Sequence, residues 1–361
     1  MSGATTALTQ AGQSIWLDNI TRDLITSGTL AGYIADLSVS GITSNPTIFE
    51  KAITKGSAYD AQLQQLVLAG TSGDELLFEV ILRDLIAAAD LLAPTHRRTA
   101  GVDGWVSVEV APGLANDTKG TVAQAEWLFE KAPRPNVFVK IPGTREGVPA
   151  IEEAIFRGVP VNVTLLFSVD QYVAAAEAYM RGLERRVASG LALDVPSVAS
   201  LFVSRWDKAT ADKAPTELRN RLGIAVSKLT YKAYRGLMDS ARWQRLENFG
   251  ARPQRLLFAS TGTKDPDASD VLYAEALAAP NTIDTMPEET LHAFADHGRI
   301  PALLTPDGGD GADVIAAFTR AGIDVVQLAE DLQVAGAKAF VDSWTHLEEA
   351  VAAKKQALTA P

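Results

Sequence analysis

The chain contains no cysteine, which excludes disulfides, thiolate catalysis and cysteine-ligated metals. Histidine is scarce, with four in 361 residues. They stand at His96, His292, His297 and His346. The five-residue step between His292 and His297 does not suit two ligands on one helical face. Asp265, Asp267, Ser269 and Asp270 are spaced loosely like a calcium loop, but its sixth position is Asp270 rather than glycine and its twelfth is Ala276 rather than glutamate. No metal is expected. Basic residues are in the minority, with 33 Lys and Arg against 44 Asp and Glu and a net charge of −11. Non-specific binding to nucleic acid or to an anionic membrane is therefore not expected. An anionic small molecule needs a local basic cluster instead. No apolar run approaches a membrane span. The opening MSGATTALTQAGQ has neither a basic n-region nor an apolar h-region. A cytoplasmic protein is expected.

Hydrophobic residues make up 47% and charged residues 21%, an ordinary globular composition with enough apolar material for a large core. Short β-branched runs alternate with longer amphipathic segments, the pattern of parallel βαβ units. Candidate strands fall at 14–17, 39–43, 105–110, 136–141, 161–166, 198–203, 255–260 and 281–285. Eight is the number a closed β/α barrel needs. Helical periodicity is clearest over 74–92, 170–187 and 325–347. Ser168 and Asp170 are both candidate caps for the second of these. Residues 206–253 exceed one crossover helix, so they are expected to hold an insertion plus a barrel helix. A second extra element is expected over 56–92. With no repeat, low-complexity tract or obvious linker, residues 1–361 are expected to form one domain. The six tryptophans are scattered and are taken as packing residues, and DGGDG at 307–311 as a turn.

Lys140 lies in the apolar run NVFVKIPG. A lysine in a buried strand is costly unless neutral or paired, and desolvation favours the nucleophilic amine. Taken alone, the segment fits better a strand-end lysine reaching solvent. Polar residues recur at the ends of the other runs: Asp18 after SIWL, Asn45 in GITSNP, Glu109 in WVSVEV, Asn162 and Thr164 in VPVNVTLLFS, Ser200 and Arg205 around SLFVSR, Ser260 closing RLLFAS. In a β/α barrel the C-terminal strand ends form the active-site face, so these groups are expected to converge around Lys140, which should sit on the fourth strand and point inward.

The segments ITSNPTIF, VSVEV, VFVKIPGT, VNVTLLFS and SLFVSR resemble the motifs of transaldolases. The resemblance runs from about Gln13 to the C-terminal helix. The WLDNI opening, the insertion after Arg205 and the segment NTIDTMPEETL look like the longer actinobacterial type. The implied fold is a (β/α)8 TIM barrel with extra helices and a helical insertion after the sixth strand. By this resemblance Lys140 is the Schiff-base lysine, Asp18 takes the proton from the C4 hydroxyl, and Glu109 is the acid/base that works through a water held by Thr164. Asn45 and Asn162 would bind the hydroxyls of the dihydroxyacetone unit, with smaller contacts from Thr43 and Ser200. Arg205 and Ser260 match the phosphate site. One departure stands out: shorter bacterial members carry an arginine two residues after the serine, where this chain has Gly262 in ASTGTKDP. Lys264 is either the replacement or a solvated loop lysine.

The implied reaction moves dihydroxyacetone from sedoheptulose 7-phosphate to glyceraldehyde 3-phosphate, giving erythrose 4-phosphate and fructose 6-phosphate, in the non-oxidative pentose phosphate pathway. It needs sugar-phosphate substrates and no cofactor. The alternatives are a fructose-6-phosphate aldolase-like activity, whose enzymes carry tyrosine where this chain has Glu109, and a barrel that binds sugar phosphates without turnover. Neither oligomeric state nor the purpose of the insertion can be read from the chain.

Overall fold

Runs such as WVSVE, VFVKIP and SVASLF are apolar on both faces because a parallel strand inside a ring of helices is covered on both sides. In the computed structural model, which describes residues 3–359, each candidate run forms a strand. They are β1 (Gln13–Asp18), β2 (Val39–Thr43), β3 (Trp105–Glu109), β4 (Val137–Pro142), β5 (Val161–Leu166), β6 (Ser197–Phe202), β7 (Arg255–Ala259) and β8 (Thr282–Met286). All neighbours pair in parallel, in sequence order, and β8 returns to β1 to close the barrel. This is a (β/α)8 barrel.

The interior is layered. Trp16, Trp105 and Phe138 fill its lower part, with ring centroids 4.1 Å apart for Trp105 and Phe138 and 6.3 Å for Trp16 and Phe138. Gly41 makes this possible: a β-carbon there would stand 2.4 Å from the Trp16 ring. Two residues further along each strand the filling becomes polar, because side chains repeat on one face with period two. Asp18 pairs in register with Thr43, Glu109 with Lys140, and Lys140 with Asn162. The upper layer therefore collects the polar strand ends at the C-terminal mouth.

Helix Gly73–Arg98 runs past the expected limit of 74–92 and contains Pro94. Burial of Leu92 and Thr95 holds the next turn despite the donor that proline removes. Ser168, not Asp170, caps helix Val169–Ala188, accepting from the Gln171 N–H. The long helix Val325–Thr359 reaches beyond 347 and packs on helix Pro46–Lys55 beside the barrel mouth. Gln333 ties it down, donating to the carbonyls of Gly143 and Leu165 at the ends of β4 and β5.

The insertion comprises helices Ser204–Thr210, Leu222–Met238 and Ala241–Asn248 with a 3-10 turn at Thr216–Leu218. Its hinge pin is Asp207, which is buried and accepts from the Leu222 and Gly223 N–H groups and the Tyr273 hydroxyl. Burial raises its carboxyl to about 6. Among the described residues no helix is long and apolar enough to cross a membrane.

Candidate active site

A cavity of about 290 Å³ opens at the C-terminal mouth. Lys140 reaches it from the middle of β4, only 5% exposed. Its Nζ donates to the Ser44 carbonyl at 2.9 Å and to Glu109 Oε2 at 3.3 Å, and lies 5.8 Å from the centroid of Phe340. The amine is thus held at three points inside the barrel, as expected from the sequence.

Two carboxyls flank it. Glu109, 7% exposed, is raised above the ordinary carboxylate range by burial, against the opposing pull of Lys140. Burial raises Asp18 as well, while Lys140, Thr43 and Asn45 draw it back. The Thr43 hydroxyl donates to Asp18 at 2.9 Å and lies 2.7 Å from the Thr285 hydroxyl. Burial thus favours the protonated form of each acid, and Lys140 opposes it. Glu109 Oε1 and Thr164 Oγ1 are buried, and neither has a partner among the described residues. Buried oxygens of this kind are where a bridging water is retained.

Asn45 caps helix Pro46–Lys55 by accepting from the Ile48 N–H, which fixes its amide at the cavity wall. Asn162 sits deeper and is buried. It donates to Ser107 at 3.0 Å and accepts from Ser200 at 2.7 Å, so it orients Ser200, which lines the cavity. Immediately after Thr164, Leu165 has φ 59°, and the β5–β6 register shifts between Val163 and Leu166. A side chain in this left-handed region is strained, and the strain lies beside the site.

Arg205, Ser260, Gly262 and Lys264 form another sector of the wall. Ser260, at φ 57°, shares a 2.9 Å hydrogen bond with Ser204. Burial lowers Arg205 from its ordinary value, and no carboxylate among the described residues offsets that cost. A β-carbon on Gly262 would lie 3.5 Å from Lys264 Nζ. The Lys264 ammonium therefore hangs beside the point where a side chain at 262 would begin.

All eleven expected residues gather here. Nine line the cavity, while Glu109 touches Lys140 and Asn162 holds Ser200 from behind. Sequence reasoning missed Lys51, Thr285 and Phe340, which also line it. Thr285 carried a signal, being polar at the end of a candidate strand. Phe340 belongs to the apolar stripe of the C-terminal helix and had none.

A lysine among titratable carboxyls in a parallel eight-stranded barrel defines a Schiff-base aldolase type of site. Residues 15–351 match the family model described as "Transaldolase/Fructose-6-phosphate aldolase". The chain is 45% identical to a transaldolase of Parafrankia sp. (strain EAN1pec), over 97% of this chain and 98% of that protein. It is 45% identical to one of Thermobifida fusca (strain YX), over 98% of each, and 44% identical to one of Mycolicibacterium paratuberculosis (strain ATCC BAA-968 / K-10), over 95% of each. The chain belongs to the transaldolase/fructose-6-phosphate aldolase family.

Proposed function

We propose that this protein acts as a transaldolase, an enzyme that moves a dihydroxyacetone unit from sedoheptulose 7-phosphate to glyceraldehyde 3-phosphate through a Schiff base on Lys140. The observation that carries this reading is the buried Lys140 amine between Asp18 and Glu109 at the floor of the cavity.

The chemistry follows from the placement. Lys140 Nζ attacks the ketose C2 carbonyl, and the oxygen leaves as water once Glu109 has protonated it through a water held by Thr164. The iminium that remains is an electron sink. Asp18 takes the proton of the C4 hydroxyl, the C3–C4 bond breaks, and its electron pair moves into the iminium as an enamine. The aldose departs. A second aldose enters, the enamine carbon attacks its aldehyde, and Asp18 returns the proton to the new alkoxide. Asn45, Ser200 and Asn162 hold the hydroxyls of the three-carbon unit.

Arg205, Ser260 and Lys264 hold the phosphate. The unpaired, half-buried guanidinium supports this assignment because an anion would restore what its burial costs. The substrates are small sugar phosphates of central carbohydrate metabolism, and a cytoplasmic site of action accords with them.

The test is borohydride reduction in the presence of fructose 6-phosphate, followed by intact mass. The protein should gain the reduced adduct, and Lys140→Ala should not. Product analysis separates the neighbouring activity of the family: release of free dihydroxyacetone at the rate of ketose consumption would overturn transfer in favour of simple aldol cleavage.

A further inference from the structure

A second cleft lies at the other end of the barrel. It measures about 550 Å³ and opens among the N-terminal ends of the strands. One wall is barrel: Gln13 of β1, Trp105 of β3 and Phe138 of β4. The facing wall is the insertion: Arg235 and Met238 of helix Leu222–Met238 and Trp243 of helix Ala241–Asn248. Segment 206–254 therefore supplies about a third of the residues that line this cleft.

The lining has a definite chemistry. Trp105 and Phe138 stack at 4.1 Å, 27° from parallel, and with Trp243 they give the cleft an aromatic wall. Three arginines border it, of which two are already engaged. Arg255 is held by Asp103, Ser14 and the Thr282 carbonyl, and Arg252 by Asp194 and the Ala100 carbonyl. Arg235 faces the Tyr231 hydroxyl, and its Nε is buried with no partner among the described residues. The acids on the wall are Asp103, whose oxygens are taken by Trp16, Arg255 and Ser14, and Glu247. On the barrel side Gln13 is 1% exposed. Its amide donates to the Leu277 carbonyl and Thr282, while its Oε1 is buried and unpartnered. The cleft thus offers a cationic donor on one side, an acceptor on the other and aromatic faces between.

We propose that the insertion and the N-terminal mouth form a second small-molecule site, which takes a planar aromatic carboxylate bearing a hydrogen-bond donor remote from the acid. The carboxylate meets Arg235, the ring lies along the aromatic wall beside Trp105, and the donor reaches Gln13. The site stands apart from the catalytic cavity, yet shares its strands: those that contribute Gln13, Trp105 and Phe138 also carry Asp18, Glu109 and Lys140.

The probe is 6-hydroxy-2-naphthoate, titrated calorimetrically into the intact protein, with 6-hydroxy-2-naphthamide as its uncharged counterpart. One naphthoate should bind per chain, and saturating fructose 6-phosphate should not displace it. Arg235→Gln should weaken the naphthoate about ten- to a hundredfold, as loss of a charge-assisted contact does, and leave the naphthamide unchanged. Met238→Trp, which fills the cleft, should abolish binding of both while borohydride trapping persists. Absence of saturable binding, equal affinity in Arg235→Gln, or displacement by the ketose phosphate would each overturn the proposal.

Discussion

At the residue scale, the three titratable groups around the substrate have separable tasks under the proposed mechanism. Glu109 serves the formation and hydrolysis of the Schiff base. Glu109→Gln keeps the shape and removes the proton carrier, so both steps should slow by roughly 10²–10⁴-fold, measured as the rate of adduct formation after rapid mixing. Asp18 acts only once the iminium exists. Asp18→Asn should therefore still be trapped by borohydride with a ketose phosphate, while aldose release fails. Trapping lost with Asp18→Asn would move Asp18 into the first step. Arg205 is different again, because in the proposed reading it binds a phosphate common to ground and transition states. Its replacement by alanine should mainly raise KM, by about ten- to a hundredfold for phosphorylated donors and much less for an unphosphorylated ketose. Lys264→Ala should show a partial version, since its ammonium stands where a side chain at 262 would start. Equal KM changes for both donor types would remove the phosphate assignment.

At the scale of elements, what the sequence made legible depended on how local the cause was. The eight strands were readable because burial on both faces writes itself as β-branched apolar runs, and polar residues at their ends marked the mouth. Helix ends were less readable: Pro94 signals a stop that the burial of Leu92 and Thr95 overrides. Lys51 and Phe340 could not be found, because their places at the mouth depend on where two helices distant in sequence dock against each other. The helix Val325–Thr359 acts as a cover, fixed by Gln333 and presenting Phe340 toward Lys140. A covered enamine is shielded from water. Phe340→Ala should raise several-fold the fraction of turnovers that end in free dihydroxyacetone rather than in transfer, read by coupled assay of both products. An unchanged partition would mean that the ring only packs.

For the whole molecule, one buried acid outside the site shapes stability against pH. Asp284 of β8 is fully buried. It accepts from the Thr261 hydroxyl through one oxygen, while the other has no partner among the described residues. Burial raises its carboxyl from 3.8 to about 7. Below about pH 4 the group is protonated whether the chain is folded or not. Above that, the unfolded chain gives up its proton while the folded one keeps it. The associated stability is therefore present at low pH and lost as pH rises through about 7. At about 1.36 kcal/mol per pH unit, the loss is on the order of a few kcal/mol. Asp284→Asn escapes it, so the variant's melting temperature should exceed that of the parent at pH 8 by more than at pH 4. A constant difference across that range would show that Asp284 titrates normally.

The closure of the ring has a kinetic consequence. The seam between β1 and β8 joins residues far apart along the chain: Gln13 and Thr282 are 269 positions apart and bonded. Such a contact forms late, because the closure entropy of a long loop must be met before the contact can repay it. The two strands of that seam also supply Asp18 and Thr285 to the cavity. A chain refolding from denaturant should then recover helix first and turnover last, and the return of activity would serve as a clock for the moment the ring shuts.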